Sequence, residues 1–102
     1  MINVILRSIE KACCERYGLT KEQLTAQGRG NLTVSEARVL FIQFACLEVG
    51  LKPIDAVEYL GGRNPSQATR YLQKDILPVT KAFVGLFKKH FVEELKKYSE
   101  GL

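Results

Sequence analysis

Between positions 63 and 74 the chain carries hydrogen-bonding and cationic side chains and no acidic residue. In the DNA major groove, glutamine can make a two-pronged hydrogen bond to adenine, and arginine can make one to guanine. Gln67 and Arg70 have this chemistry and are predicted, with Ser66, to face out of a helix. Thr69 could contact a thymine methyl group, and Lys74 a flanking phosphate. The residues of this stretch that we expect to contact DNA are Arg63, Asn64, Ser66, Gln67, Thr69, Arg70 and Lys74.

A short helix is predicted just before this stretch, over residues 53–60. Pro53 suits the first turn of a helix, where its missing N–H leaves no bond unmade. Apolar residues then follow at helical spacing. Gly61 and Gly62 end the helix, because glycine adopts left-handed backbone angles without strain.

A second short helix is predicted over residues 65–75 and carries most of the candidate DNA contacts. Asn64 is its predicted N-cap, Pro65 its first residue, and Gln67 can complete a capping box with Asn64. Two short helices joined by a glycine turn, with the second polar and cationic on one side, are typical of a helix-turn-helix and its recognition helix.

Three cations outside the two predicted helices are candidates for contacts to the DNA backbone. Lys52 and Arg63 precede the two helices, whose N-termini add a partial positive charge that attracts phosphates. Arg29 lies in a loop between Gly28 and Gly30. It could reach a phosphate or a minor groove, or it could be an ordinary loop arginine, and both interpretations stay open.

Length and composition predict one globular domain over residues 1–102, since 46% of the residues are hydrophobic. No apolar run is long enough to span a membrane, and the N-terminal residues lack the layout of a signal peptide. We therefore expect a cytoplasmic protein, associated with the nucleoid if it binds DNA. The net charge of +4 is only mildly basic. The lysines of residues 81–89 would suit a polyanion, but a solvated helix face is the preferred interpretation.

The cysteines do not predict a disulfide framework or a zinc site, because Cys13, Cys14 and Cys46 are odd in number and two are adjacent. We expect them to be small side chains packed in helices. No metal-ligand spacing or cofactor motif occurs, so neither a metal nor a cofactor is expected.

Two helices are predicted at the start of the chain. Apolar residues recur on one helical face over residues 2–17, and Gly18 ends that helix. A short helix follows, with Thr20 as its N-cap and Gln23 completing a capping box.

The longest apolar segment, residues 37–49, predicts a helix buried on nearly all sides and ended by Gly50. Thr33 and Glu36 form a capping box that would begin it. The polar residues that interrupt it are Arg38, Gln43 and Glu48. Residues 79–98 predict a last, amphipathic helix. The expected fold is therefore all-α, with about six helices around a buried central helix.

The sequence resembles the C-terminal DNA-binding domain of the bacterial chromosomal replication initiator DnaA, over residues 4–76. The turn Leu60-Gly61-Gly62-Arg63 carries the resemblance, and Arg38 matches an arginine common near the start of the family's long helix. The resemblance implies a trp-repressor-like helical fold that binds double-stranded DNA in replication or transcription.

The departures from the family change the expected DNA target. Where the family reads bases with an aspartate, a histidine and two hydroxyl residues, this chain has Asn64, Pro65, Ser66 and Gln67. Only Ser66 keeps that chemistry, and Leu32 falls near the family's minor-groove arginine. No G-x-x-x-x-G-K-[ST] motif occurs, so we expect no counterpart of the family's ATPase domain in this chain. We expect a stand-alone DNA-binding protein with non-specific binding or a different specificity.

The alternative function is a protein-interaction module of the same fold that has lost specific DNA binding. A homodimer also stays open, because many helix-turn-helix proteins read two half-sites. An enzyme with a small-molecule substrate is not expected. His90 is the single histidine, with no Cys or Ser near it in sequence, and Glu93 and Glu94 suit neighbouring lysines at helical spacing.

Overall fold

The computed structural model describes residues 1–26, 28, 30–61 and 66–101. Within these ranges the chain forms six α-helices and no β-strand. The helices are α1 (Ile2–Tyr17), α2 (Lys21–Thr25), α3 (Leu32–Gln43), α4 (Pro53–Tyr59), α5 (Ser66–Gln73) and α6 (Lys81–Glu100), and a π-helical segment (Phe44–Val49) continues α3. The radius of gyration is 12.9 Å, close to the value of about 13 Å for a compact domain of 100 residues. The predicted all-α class is confirmed.

Helix α3 is the central helix, as predicted. Its residues are buried without interruption from Ala37 to the first residues of the π-helical segment. It contacts α1, α2, α4 and α5. A helix that is apolar on nearly all sides lowers its free energy by burying every side, and this explains why these four helices pack around it.

The start of α3 was predicted wrongly. The N-cap is Asn31, whose Oδ1 accepts a hydrogen bond from the Val34 N–H at 2.9 Å. Thr33 and Glu36 lie inside the helix and do not form the predicted capping box at its start. Asparagine caps at least as well as threonine, and the earlier start places Val34 in the core, where it is 5% exposed.

Local signals predicted several other helix ends correctly. Gly18 ends α1 in the left-handed conformation, with φ 66°, and Gly50 ends the π-helical segment with φ 87°. In the capping box of α2, the Thr20 N–H donates to Gln23 Oε1 at 2.8 Å and the Gln23 N–H donates to Thr20 Oγ1 at 3.1 Å. Pro53 is the first residue of α4, as predicted.

Helix α6 begins two residues later than predicted because Thr80 is its N-cap. The Thr80 hydroxyl oxygen accepts a hydrogen bond from the Phe83 N–H at 3.1 Å. The helix packs along α1 in the antiparallel direction, since Glu15 meets Lys89 and Lys11 meets Glu94.

The three cysteines carry free thiols. Cys13 is fully buried, and Cys14 and Cys46 are half-buried. Burial raises the pKa of the Cys13 thiol, and it raises that of Cys14 to about 11. These thiols therefore remain protonated at neutral pH and pack as small apolar side chains, as expected.

Glu94 is the buried charge that joins α6 to α1. Its side chain is 5% exposed and pairs with Lys11, while Arg7 and Lys97 each lie 3.8 Å from the carboxylate. The hydrogen bond from Lys11 lowers the pKa of Glu94 below its ordinary value of 4.5. Glu94 was predicted only as a partner for nearby lysines, and the pairing with α1 was not foreseen.

The ion pair of Glu94 predicts a loss of stability in acid. Because the folded state lowers the pKa of Glu94, its pairing contributes fully above the ordinary value of 4.5 and is lost as the pH falls through the lower, folded value. We expect Glu94→Gln to reduce the fall in the free energy of unfolding between about pH 5 and pH 3, measured by urea denaturation. Glu93→Gln, at an exposed neighbour, should keep the wild-type slope. Equal slopes for Glu94→Gln and the wild type would contradict the assignment.

Candidate nucleic-acid interface

Helix α5 has one side on the core and one side in solvent. Ala68 is buried and Tyr71 and Leu72 are half-buried, and the helix contacts α3 and α4 through this side. The opposite side exposes Thr69 and Arg70. The helix spans Ser66–Gln73, so it matches the predicted recognition helix to within two residues at its end.

Most of the described candidate residues are accessible to a ligand. Those that are exposed are Lys52, Ser66, Thr69, Arg70 and Lys74. Lys52 is the N-cap of α4, and Lys74 directly follows the last residue of α5. Arg29, Arg63 and Asn64 lie outside the described residues, together with Gly62 and Pro65. Because the link between α4 and α5 is among them, the helix-turn-helix stays a prediction.

Gln67 does not project freely from α5, which corrects the expectation that it faces outward. It is half-buried, and its Oε1 is buried without a hydrogen-bond partner. The residue lies next to the buried Ala68, on the side of α5 that faces α3. In this conformation its amide oxygen cannot accept a hydrogen bond from a base.

A groove of about 650 Å³ separates α5 from the start of α3. Gln67, Arg70, Tyr71 and Lys74 form one wall, and Gly30, Asn31, Leu32 and Ser35 form the other. The fold thus brings the glycine-containing loop beside the predicted recognition helix, although the two are far apart in sequence. Gly30 has φ 66°, and a Cβ there would lie 2.9 Å from Val34 Cγ1. Glycine is therefore required where this wall turns into α3.

A second hollow of about 680 Å³ shares Leu32, Ser35 and Lys74 with this groove. Glu36 and Asp75 add acidic side chains to it. Carboxylates repel a phosphate backbone, so of these two hollows the groove beside Arg70 suits a polyanion better.

Arg38 fixes one wall of the groove from inside the core. Its side chain is 2% exposed. Nε donates to the Leu24 carbonyl at 2.8 Å, and Nη1 donates to the Gly28 carbonyl at 2.6 Å. Nη2 donates to the carbonyls of Ala26 at 2.8 Å and Gln23 at 3.3 Å. The guanidinium therefore holds the negative end of α2 and the loop that leads to Gly30.

Gln43 holds the other wall. This buried amide donates through Nε2 to the carbonyls of Tyr71 at 3.2 Å, Lys74 at 3.4 Å and Asp75 at 3.2 Å. Its Oε1 accepts a hydrogen bond from the Leu77 N–H at 2.9 Å. Sequence reasoning did not assign these roles to Arg38 and Gln43. The available signal was that they are two of the three polar residues in the otherwise apolar segment of residues 37–49.

His90 lies away from this groove and connects α6 to α1. Its Nε2 is 3.1 Å from Glu15 Oε1, and its Nδ1 is 3.8 Å from the Glu93 carboxylate. Lys89 shares the Glu15 carboxylate at 3.0 Å. Across the described part of the chain, no group of three or more histidine, cysteine, aspartate or glutamate residues is arranged to hold a metal ion. No helix in the described ranges is long and apolar enough to cross a membrane.

Comparison of the chain with protein-family models, with curated proteins and with solved structures gives no match. The resemblance to the DnaA domain therefore rests on the sequence alone, chiefly on residues 60–63 and Arg38.

Proposed function

We propose that this protein binds double-stranded DNA through the exposed side of α5, with α4 as the supporting helix of a helix-turn-helix. The observation that carries the proposal is the division of α5 into two sides. Its apolar side packs on the core, while Ser66, Thr69, Arg70 and the adjoining Lys74 are exposed. No acidic residue occurs from Ser66 to Lys74. A helix of this kind suits the major groove, because its cations can bind phosphates and the packing of its apolar side on the core fixes its orientation.

The exposed residues divide between proposed base contacts and proposed phosphate contacts. Arg70 reads a guanine, since its guanidinium can donate to both acceptors of that base. Thr69 contacts a thymine methyl group, and Lys74 and Lys52 bind phosphates. The chain acts as a DNA-binding domain of replication or transcription and catalyses no reaction. The resemblance to the DnaA domain supports this biological setting.

The test is binding of fluorescent duplex DNA at two salt concentrations. A duplex selected from a random pool by the wild-type protein serves as the preferred site. Arg70→Ala should weaken binding to it by about 5- to 150-fold, which corresponds to the loss of one two-pronged base contact. Arg16→Ala is the matched control, because Arg16 is an exposed arginine on α1 that stacks over Tyr17. Absence of binding by the wild type at low salt would refute the proposal.

The same assay separates phosphate contacts from base contacts. Lys74→Ala should weaken binding to all duplexes similarly. It should also reduce the slope of log affinity against log salt concentration by about one, the value of one phosphate contact. Lys88→Ala removes the same charge from an exposed position of α6 and should leave both quantities unchanged. An equal effect of the two variants would mean that net charge, and not the α5 surface, attracts the DNA.

Two exposed apolar side chains favour a second candidate function, a protein-interaction module. Leu32 is 89% exposed on the wall of the groove. Ile76 is 72% exposed and lies in sequence between Asp75 and Leu77, which line the second hollow. Apolar side chains this exposed are common at protein interfaces. In that case Leu32→Ser would abolish capture of a protein partner while Arg70→Ala would not.

A further inference from the structure

Helix α5 is too short to be stable on its own. The helix has eight residues, fewer than the roughly 12–15 that an isolated helix needs in water. Ala68 is its one fully buried residue. The segment that follows, residues 74–80, is not helical. The orientation of α5 must therefore come from the core beneath it and from whatever holds its C-terminal end.

We propose that Gln43 is the positioning residue of the DNA-reading helix: it fixes the C-terminal end of α5, and base discrimination by α5 depends on it. This inference rests on the proposed DNA binding. The end of a helix leaves carbonyl oxygens without partners in the helix. Gln43 donates to the carbonyls of Tyr71, Lys74 and Asp75 and accepts from the Leu77 N–H. One side chain of the core helix thus satisfies groups on both sides of the end of α5.

The same residues carry the proposed DNA contacts. Arg70 directly precedes Tyr71, and the Lys74 carbonyl itself receives a hydrogen bond from Gln43. Any displacement of this end of α5 therefore moves both cations relative to a bound duplex. Two-pronged base contacts depend on geometry, whereas attraction to phosphates depends mainly on charge. Loss of the Gln43 contacts should reduce discrimination between sequences more than it reduces general affinity.

The hydrogen-bonding pattern requires an amide at position 43. The Nε2 side faces three carbonyls and must donate, and the Oε1 side faces an N–H and must accept. Methionine has a similar length but offers no strong donor or acceptor. An ionised glutamate only accepts, so it would place a negative charge against carbonyl oxygens. A protonated glutamate has one O–H donor and one carbonyl acceptor and can replace the amide in part.

The variant Gln43→Glu should therefore make base discrimination by α5 depend on pH, which we do not expect of the wild type. Burial disfavours the charged carboxylate, and only the protonated carboxyl can donate a hydrogen bond to the facing carbonyls. Both effects favour the protonated form. The titratable residues bonded to position 43 are Tyr71, which is half-buried, and Lys74 and Asp75, which are exposed. They are the same in the wild type and the variant, so comparison of the two isolates the new carboxyl group.

The experiment measures the ratio of affinities for the selected duplex and a scrambled duplex, at about pH 5.5 and about pH 8. The wild-type ratio should be similar at both values. Gln43→Met should reduce it by about tenfold or more at both, through misplaced base contacts. Gln43→Glu should reduce the ratio at about pH 8 and restore it toward the wild-type value at about pH 5.5. Gln23→Glu is the control, because glutamate is a normal partner of Thr20 in a capping box. A wild-type ratio for Gln43→Met, or no recovery of Gln43→Glu, would overturn the proposal.

Hydrogen exchange of the free protein distinguishes a local role from a general loss of stability. In Gln43→Met, amides of α5 and residues 74–77 should lose protection while α1 and α6 keep theirs. Equal loss in all helices would overturn the positioning role. If the wild-type protein binds no duplex, both the proposed DNA binding and the role of Gln43 in base discrimination are refuted. Hydrogen exchange would still decide whether Gln43 fixes the end of α5.

Discussion

Replacement of Arg38 by methionine is expected to lower the free energy of unfolding by about 3 kcal/mol, because four carbonyl groups lose the donor that reaches them from the core. Arg38 is 2% exposed and donates to the carbonyls of Gln23, Leu24, Ala26 and Gly28. Methionine fills much of the same space but cannot donate. Urea denaturation would measure the change, and the melting temperature should fall by about 12–24 °C for a domain of this size.

Two further variants sharpen this test. Arg7→Met makes the same chemical change at a side chain that is 47% exposed and 3.8 Å from Glu94, and it should cost less than about 1 kcal/mol. Arg38→Lys keeps the charge but loses the planar fork that reaches several carbonyls at once, so its stability should lie between those of the wild type and Arg38→Met. A loss below about 1 kcal/mol for Arg38→Met would show that water satisfies these carbonyls instead.

Replacement of Phe44 by alanine is expected to destabilise the fold by about 3–5 kcal/mol, the usual range for loss of a buried phenylalanine. Phe44 is 4% exposed. Its ring centroid lies 5.1 Å from that of Phe83 and 5.0 Å from that of Phe87, with both pairs in edge-to-face arrangements. These contacts connect the central helix to α6, so the variant leaves a cavity between the two.

The control for Phe44→Ala lies in the same π-helical segment. Leu47 is 52% exposed, and Leu47→Ala should change the free energy of unfolding by about 0.5 kcal/mol or less. Thermal and urea denaturation would both report the difference. A similar loss for the two variants would mean that the segment itself, and not the packing of Phe44 on α6, determines the stability.

Most helix ends could be predicted because their signals are local. The left-handed conformation of Gly18 and Gly50, the capping box of Thr20, and Pro53 at the start of α4 all depend on neighbours within a few residues. The wrong start of α3 arose because Asn31 and Thr33 are both good caps. The start at Asn31 goes with burial of Val34. Which residues are buried depends on the packing of the whole fold, so the two caps could not be distinguished locally.

The exposure of the candidate DNA contacts could be predicted only in part. Periodicity correctly placed Thr69 and Arg70 on the exposed side of α5. It failed for Gln67, which is half-buried with its Oε1 enclosed, although Arg70 on the same wall of the groove is exposed. Which side of a short helix is covered depends on the neighbouring helix, and the spacing of residues within the helix does not identify that neighbour.

The sequence by itself determined the all-α class, the buried central helix and the amphipathic character of α5, because periodicity, caps and glycines act over a few residues. Only the tertiary structure decided what Arg38, Gln43 and Glu94 do. Gln43 bonds to residues 28 to 34 positions away, and Lys11 of α1 reaches Glu94 near the other end of the chain. Partners so distant in sequence depend on how whole helices pack, and no local pattern specifies them.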